Sequence, residues 1–285
     1  MKTGLFFLLT AFCLLPSVFA VEVEPTRLEL KIAPGQPVSG ELQIANKGVK
    51  PVEVRLSTGP YRFLDPKLKL PSCQDWFRFE PARLTLAAGA ATAVAYTVTP
   101  PKNLDVDTAG EYLGAILVDQ YPADQPDTAP AAGKKTSAKL TIVPRLALAV
   151  YMMVEGKERV EVKVGKLTAE KLASEGGGIG GRAAAPDLLK MTVALKNLGT
   201  VHVRPSGAYA LFQEDGHLYH AAPLGKSMPL LPTGSMTVPS LLPLPPAGRY
   251  RWVLTVEVKE GTVLQEESSF EVTPEGDVVQ KEKKG

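Results

Sequence analysis

Few residues of this sequence have the type and spacing that chemistry requires. The three histidines are the most suggestive: His217 and His220 lie close together, and His202 lies in "VHVRP". Residues three apart on a strand point to opposite faces, so His217 and His220 cannot bind one metal ion unless the strand is bent. No paired cysteine or carboxylate supplies further ligands. We therefore expect no metal site.

A glycine-rich stretch, "EGGGIGGR" at 175–182, contains the Gly-x-Gly-x-x-Gly spacing of a dinucleotide-binding loop. Such a loop needs a strand before it, a helix after it and an acidic residue about 20 residues further on. No such unit surrounds this stretch, and Pro186 interrupts the segment after it, so a loop between strands is predicted. No serine, histidine and aspartate arrangement has the context of a nucleophile either. The sequence predicts a protein that is not an enzyme and uses no cofactor.

The overall charge argues against nucleic acid as a partner. Lysine and arginine together number 32, against 30 acidic residues. Binding to nucleic acid depends on an excess of basic residues that neutralise phosphates. The near balance of charges therefore predicts no nucleic-acid partner and no attraction to an anionic lipid surface.

The N-terminus has the features of a cleavable signal peptide. Lys2 precedes the apolar run "GLFFLLTAFCLLP", and "VFA" forms a small-residue cleavage site that ends at Ala20. We predict a signal peptide over residues 1–20 and a mature protein in the periplasm, or alternatively at the cell surface, without stable membrane insertion. Cleavage removes Cys13 and leaves Cys73 without an intramolecular partner. We therefore expect no internal disulfide, and a half-buried, inert Cys73.

Alternating apolar and polar residues run through most of the remaining chain, in short segments such as "RLELKI" (27–32) that are separated by Gly, Pro and Asn. This pattern predicts an all-β fold of two immunoglobulin-like β-sandwich domains in tandem, at 21–155 and 156–273. Residues 122–138 and the charged tail 274–285 carry no strand pattern. We predict a mobile loop and a disordered tail there.

The segment "KLTIVPRLALAVYMMVEG" (139–156) carries a long alternating stripe and could be a membrane span, a core strand or a strand that another protein uses. Its unbroken apolar run, Leu146 to Val154, is far shorter than the roughly 20 residues of a spanning helix. The later part, 146–152, is apolar on both faces and is predicted to lie in the core. The earlier part, 139–145, is apolar on one face, contains Pro144 and comes after the predicted loop. We therefore predict that 139–145 can pair with a partner while 146–152 anchors it.

The order of these segments resembles the N-terminal domain of the PapD-like periplasmic pilus-assembly chaperones, over roughly residues 22–155. The matching pieces are "EPTRLEL", "IANKG", "WFRFEPARLTLAAGAATAVAYTV", "GEYLGAILVDQYP" and the segment 139–156. The resemblance implies a chaperone whose 139–152 strand completes the fold of a secreted or pilus subunit by β-strand addition.

The resemblance also implies site residues. In the family, an arginine after a threonine near the mature N-terminus binds the subunit's terminal carboxylate, and Thr26-Arg27 stands in the matching place. The assisting lysine on the last strand is replaced by alanine, Ala147 or Ala149, with Arg145 as a possible substitute. The implied partner-binding residues are Arg27, Leu140, Ile142, Arg145, Leu146, Leu148 and Val150.

The second part of the chain is more similar to the second domain of WxL-interacting surface proteins. The stretches "KNLGTVHVRPSGAYALFQEDGHLYH" and "LPTGSMTVPSLLPLPPAGRYRWVLTVEV" carry this resemblance, which implies binding to glycan and to a protein. Two functions remain open at this point. One is an assembly chaperone that lends a strand to a subunit, and the other is a structural or adhesive surface module without chaperone activity.

Overall fold

The computed structural model describes residues 21–61, 70–104, 110–123, 143–173, 186–224, 228–259 and 261–281. Within these ranges the chain forms strands and one short 3₁₀ turn at Gln74–Trp76, so the predicted all-β fold is confirmed. The strands are β1 (Val21–Glu24), β2 (Arg27–Ile32), β3 (Val38–Asn46), β4 (Val52–Gly59), β5 (Phe77–Glu80), β6 (Arg83–Leu86), β7 (Ala91–Val98), β8 (Glu111–Pro122), β9 (Arg145–Val154), β10 (Val162–Leu172), β11 (Leu188–Asn197), β12 (Ser206–Gln213), β13 (Leu218–Pro223), β14 (Ser235–Pro243), β15 (Gly248–Lys259), β16 (Thr262–Val272) and β17 (Val278–Lys281).

The strands of the first half, which we define as residues 21–154, form two facing sheets. One sheet has the strand order β1-β3-β7-β5, and the other has the order β2-β9-β8-β4-β6. Neighbouring strands are antiparallel except β2 and β9, which run parallel. Alternation along each strand places apolar side chains between the two sheets, where they form one core. Its fully buried members include Ile32, Leu42, Ile44, Ile116, Val150 and Met152.

The chain changes sheets between β1 and β2. β1 pairs with β3 in the first sheet, and after Pro25 and Thr26 the chain continues as β2 beside β9 in the second sheet. Because β2 begins only at Arg27, it meets β9 first at Ala149. The part of β9 that precedes Ala149 therefore has no β2 residue beside it.

The second half, residues 162–281, is another sandwich. Its sheets have the strand orders β10-β11-β14 and β13-β12-β15-β16-β17. The core between them is separate from that of the first half and contains Leu195, Leu211, Trp252 and Phe270. Two immunoglobulin-like sandwiches in tandem are therefore present, as the alternation predicted. The domain limits at 155 and 156 stay a prediction.

A buried asparagine closes a corresponding turn in each half. Asn46 ends β3 and Asn197 ends β11, and both are fully buried. The carboxamide of Asn46 donates to three backbone carbonyls at 2.8, 3.2 and 3.0 Å and accepts from the N–H of Gly48. The carboxamide of Asn197 donates to two backbone carbonyls at 2.9 Å and accepts from the N–H of Gly199. The shared Asn-x-Gly pattern is a sequence signal that alternation did not single out.

Two sequence predictions need correction. The predicted disordered tail, 274–285, is wrong for Val278–Lys281, which form β17 beside β16 because their backbone completes that sheet edge. Cys73 is fully rather than half buried, since it packs inside the core of the first half.

Other predictions concern residues outside the ranges that the structure describes. The signal peptide at 1–20, the glycine-rich stretch at 175–182 and most of the predicted loop at 122–138 lie outside the described residues. In the described part of the chain, no helix is both long enough and apolar enough to span a membrane.

Candidate partner-binding edge and the junction between the halves

The first part of β9 is hydrogen-bonded on one side only. Antiparallel pairing joins Arg145 to Asp119 and Leu148 to Ile116 of β8, whereas pairing with β2 begins at Ala149. Among the described strands, none lies beside Arg145–Leu148 on the β2 side. On that side the backbone of Arg145–Leu148 therefore has no described strand partner, as in an edge strand. We call Arg145–Leu148 the open edge.

The apolar side chains of β9 point mainly into the protein's own core. Leu148 and Val150 are 4% and 0% exposed, and Leu146 is partly buried against the same core. Contrary to the prediction, Leu148 and Val150 are not available to a partner in this structure, because their face of β9 packs against the opposite sheet. Leu140 and Ile142, also predicted to bind a partner, lie outside the described residues. The open edge can therefore offer a partner backbone N–H and C=O groups, and the side chain of Leu146 lies at the rim of the core.

Arg145 does not take the place of the missing lysine. Its Nε and one terminal nitrogen lie 2.5 and 2.8 Å from the two carboxylate oxygens of Asp119. The β9 residue beside Arg27 is Ala149, and the four residues from Arg145 to Ala149 span about 13 Å of strand. Arg145 is therefore bound to Asp119 and remote from Arg27, so the interpretation of Arg145 as a second anchoring cation is wrong.

Arg27 lies at the junction between the two halves. Its side chain is 52% exposed, and its Nε donates to Oε1 of Glu29 at 2.6 Å. The same oxygen accepts a hydrogen bond at 3.2 Å from Nε of Arg204 in the second half and lies 3.8 Å from Nε2 of His202. One carboxylate oxygen is therefore surrounded by two guanidinium groups and an imidazole.

The positive groups around Glu29 outweigh the effect of its partial burial. Burial alone disfavours the charged carboxylate, but the hydrogen bond from Arg27 and the charges of His202 and Arg204 hold the pKa of Glu29 below its usual value. Glu29 thus stays ionised at lower pH than an ordinary glutamate does.

His202 makes the most deeply buried polar contact at the junction. Its backbone N–H and its Nδ1 lie 2.8 and 2.5 Å from the two carboxylate oxygens of Glu111, whose side chain is fully buried. The imidazole also packs 4.1 Å from the ring of Tyr151, measured between centroids. Glu111 and His202 are 91 residues apart in the chain, so no local sequence pattern could have paired them.

Apolar contacts complete the junction. Leu231 of the second half packs with Tyr61, Leu113 and Tyr151 on the outer face of the sheet that contains β8 and β9. The hydroxyl oxygens of Tyr61 and Tyr151 are 2.9 Å apart, and burial, together with Tyr151, raises the pKa of Tyr61. The guanidinium of Arg204 lies 5.3 Å from the ring centroid of Tyr151, within the range of a cation–π contact. The halves therefore meet through aromatic rings, the buried hydrogen bonds between Glu111 and His202, and the cluster of Arg27, Glu29 and Arg204, which we call the Glu29 cluster.

The remaining histidines have unrelated surroundings. The side chain of His217 is 79% exposed, and the ring of His220 lies 5.8 Å from that of Tyr209. Within the described ranges, no group of three or more His, Cys, Asp or Glu side chains is placed to hold a metal ion.

A surface groove in the second half is lined by Gln213, Asp215, Arg249 and Lys281, among others. Its cations are paired with acids, Arg249 with Glu214 at 3.0 Å and Lys281 with Glu271 at 2.5 Å. The groove thus lacks the convergent unpaired groups of a ligand site.

No protein-family model matches the chain, and no curated protein matches it. Solved structures similar to this chain include the Salmonella enterica SafA pilin in complex with the SafB chaperone, at 13% identity, with 87% of this chain and 96% of that chain covered and a TM-score of 0.43. The E. coli chaperone DraB is similar at 14% identity, with 88% and 98% covered and a TM-score of 0.43. The PapD-like domain 7 of human CEP192 is similar at 18% identity, with 54% and 97% covered and a TM-score of 0.32.

Proposed function

We propose that the protein is a periplasmic assembly chaperone-like protein that binds a secreted or pilus subunit by β-strand addition along the open edge. The observation that supports this is the one-sided pairing of Arg145–Leu148, which has β8 on one side and no described strand on the other. In β-strand addition, an extended segment of the partner hydrogen-bonds to an exposed sheet edge. The open edge supplies such backbone groups on a strand that Val150 anchors in the core.

Three of the other described edge strands, β14, β1 and β5, are less suited to strand addition. β14 lies at an edge, contains Pro239 and ends in Pro243. Proline has no backbone N–H and discourages pairing at an edge. β1 and β5 are edge strands of four residues each. By comparison, Arg145–Leu148 contains no proline and continues into a long, buried strand.

The proposal includes residues that the sequence singled out. Leu140 and Ile142 precede the open edge in the chain and would extend the apolar stripe that meets the subunit. Arg27 lies beside Ala149, the residue that follows the open edge, and would bind the terminal carboxylate of the subunit, as the resemblance implies. Export directed by residues 1–20 would bring the protein to the periplasm, where exported subunits are present.

A photo-reactive amino acid at Ala147 tests this function. Ala147 is exposed in the middle of the open edge, and Thr237, exposed on the edge strand β14, provides a matched control. We expect the Ala147 probe, in the cells that produce the protein, to cross-link to an extended segment of an exported subunit. The Thr237 probe should give no such product.

Hydrogen exchange on the purified complex supplies the second measurement. Amides of the open edge should exchange more slowly with the cross-linked subunit bound than without it, because β-strand addition pairs them. Cross-linking at Thr237 instead of Ala147, or unchanged exchange at the open edge, would contradict strand addition. The structural or adhesive surface module would then be the better interpretation.

A further inference from the structure

The two guanidinium groups that meet at Glu29 form an anion site, and its occupant in this structure is the protein's own carboxylate. We propose that Glu29 is an internal competitor for the terminal carboxylate of the subunit, and that Arg204 supplies the second cation of that site beside Arg27. The inference rests on the proposed function, because the carboxylate that it names belongs to the bound subunit.

The site is assembled from both halves. Arg27 begins β2 in the first half, and Arg204 precedes β12 in the second. Arg27 reaches Oε1 of Glu29 at 2.6 Å and Arg204 reaches the same atom at 3.2 Å. In the described ion pairs of Arg27 and Arg204, the acidic partner is Glu29 in both cases. Two guanidinium groups directed at one carboxylate oxygen supply charge-assisted hydrogen bonds, which are stronger than hydrogen bonds between neutral groups.

Arg204 supplies the positive charge that β9 lacks. The β9 residue beside Arg27 is Ala149, and the next residue on the same face is Tyr151, which pairs with Glu29. The guanidinium of Arg204 lies over the ring of Tyr151, 5.3 Å from its centroid. A cation from the second half thus stands over the part of β9 where an alanine replaces the expected lysine.

The Glu29 cluster is open to exchange, unlike the buried pair of Glu111 and His202 next to it. The side chains of Arg27, Arg204 and Glu29 are 52%, 31% and 33% exposed. Those of Glu111 and His202 are 0% and 5% exposed. Exposed ion pairs contribute little to stability because water and salt screen them. A carboxylate that arrives from outside can therefore replace Glu29 without breaking the buried pair.

The need to displace Glu29 also makes the site selective for ionised groups. An incoming group must compete with a carboxylate that is already in place, so a neutral chain end gains no binding free energy from the site. Only an ionised end can replace the two charge-assisted contacts that Glu29 gives up. The internal competitor therefore favours a subunit with a free terminal carboxylate over an internal loop.

Acetate, a simple monocarboxylate, tests the site without any subunit. Nuclear magnetic resonance signals of the arginine Nε–H groups report binding, and Arg251, which pairs with Glu267 at 3.3 Å, is the internal control. In Glu29→Gln, acetate should shift the Arg27 and Arg204 signals over the same range of acetate concentration. The affinity for acetate should be at least about tenfold higher than in wild type, which corresponds to about 1.4 kcal/mol. The Arg251 signal should not move.

The double variant Glu29→Gln/Arg204→Gln should lose most of the acetate response at Arg27. Circular dichroism should show that each variant keeps the wild-type strand signal, because the substituted side chains are partly exposed. Equal acetate affinity in wild type and Glu29→Gln would overturn the inference. So would an Arg27 response that does not depend on Arg204.

Binding of the cross-linked subunit separates this inference from the proposed function. Glu29→Gln should slow release of the subunit, Arg204→Gln should speed it about as much as Arg27→Gln does, and amidation of the subunit's terminal carboxylate should remove both effects. If strand addition occurs but neither substitution changes release, the inference fails and the proposed function stands. If acetate binds as expected but no subunit pairs with the open edge, the anion site stands and the proposed function fails.

Discussion

His202 of the second half holds the carboxylate of Glu111 in the first half through its backbone N–H, at 2.8 Å, and its Nδ1, at 2.5 Å. Both side chains are almost completely removed from water. A buried carboxylate is costly unless hydrogen bonds and an opposite charge compensate it. The first half therefore depends on a residue of the second half to satisfy one of its own buried groups.

Replacement of His202 by alanine should destabilise the protein strongly. His202→Ala leaves the Glu111 carboxylate buried with one hydrogen bond fewer and removes the ring that packs on Tyr151, and we expect a loss of about 3 kcal/mol in the free energy of unfolding. Urea denaturation followed by tryptophan fluorescence measures it. His217→Ala is the control, because the His217 side chain is 79% exposed. Equal effects of the two substitutions would mean that the buried pair contributes nothing.

The two turn asparagines should be equally important for stability. Asn46→Ala and Asn197→Ala each leave buried backbone carbonyls without a donor, and we expect each to lower the free energy of unfolding by about 2 kcal/mol. Asn103→Ala, at an exposed turn position, should stay within about 0.5 kcal/mol of wild type. Thermal denaturation of the three variants provides the comparison. A mild effect at only one of the two turns would show that they do not have the same structural role.

Gly114 and Cys73 should show strong coupling in a double-mutant cycle. A Cβ atom at Gly114 would lie 2.9 Å from Sγ of Cys73, while its next nearest neighbour would be 3.7 Å away. Gly114→Ala should therefore cost about 1–3 kcal/mol. Removal of the sulfur in Cys73→Ala makes room for the new methyl group, so the double variant should recover about 1 kcal/mol or more relative to the sum of the single variants. Additive effects in chemical denaturation would show that the clash is relieved elsewhere.

Glu29 should contribute to the loss of folding stability at acidic pH. Its pKa is lowered in the folded state from the ordinary value of 4.5, so its ionised form stabilises the fold at pH values above about 4.5. That contribution is lost as the pH falls through the lower folded-state pKa. The stability difference between wild type and Glu29→Gln should therefore be constant near neutral pH and shrink below pH 4.5. Denaturation series at several pH values measure it, and a difference that grows on acidification would contradict this sign.

Local alternation was sufficient to predict most of the strands and the all-β fold. The segment "RLELKI" was predicted as a strand over 27–32, and β2 spans Arg27–Ile32, because side chains on alternate faces of a strand need alternate polarity when one face is buried. The same reasoning missed β17, since "VVQK" is too short to show a period. It also missed the structural role of Asn46 and Asn197, because alternation takes no account of buried hydrogen bonds.

Alternation could not decide whether the apolar side chains of a strand contact the protein's own core or a partner. Leu148 and Val150 have the spacing of residues that a partner would bury, and the structure places them in the protein's own core, because a period of two is the same for either surface. The open edge depends on where β2 begins beside β9, and the Glu29 site depends on Arg204, which is 175 residues away. The sequence by itself therefore determined most of the strands and the fold class, which depend on short-range polarity. Only the tertiary structure decided the open edge and the junction, because they arise from contacts between residues that are distant in the chain.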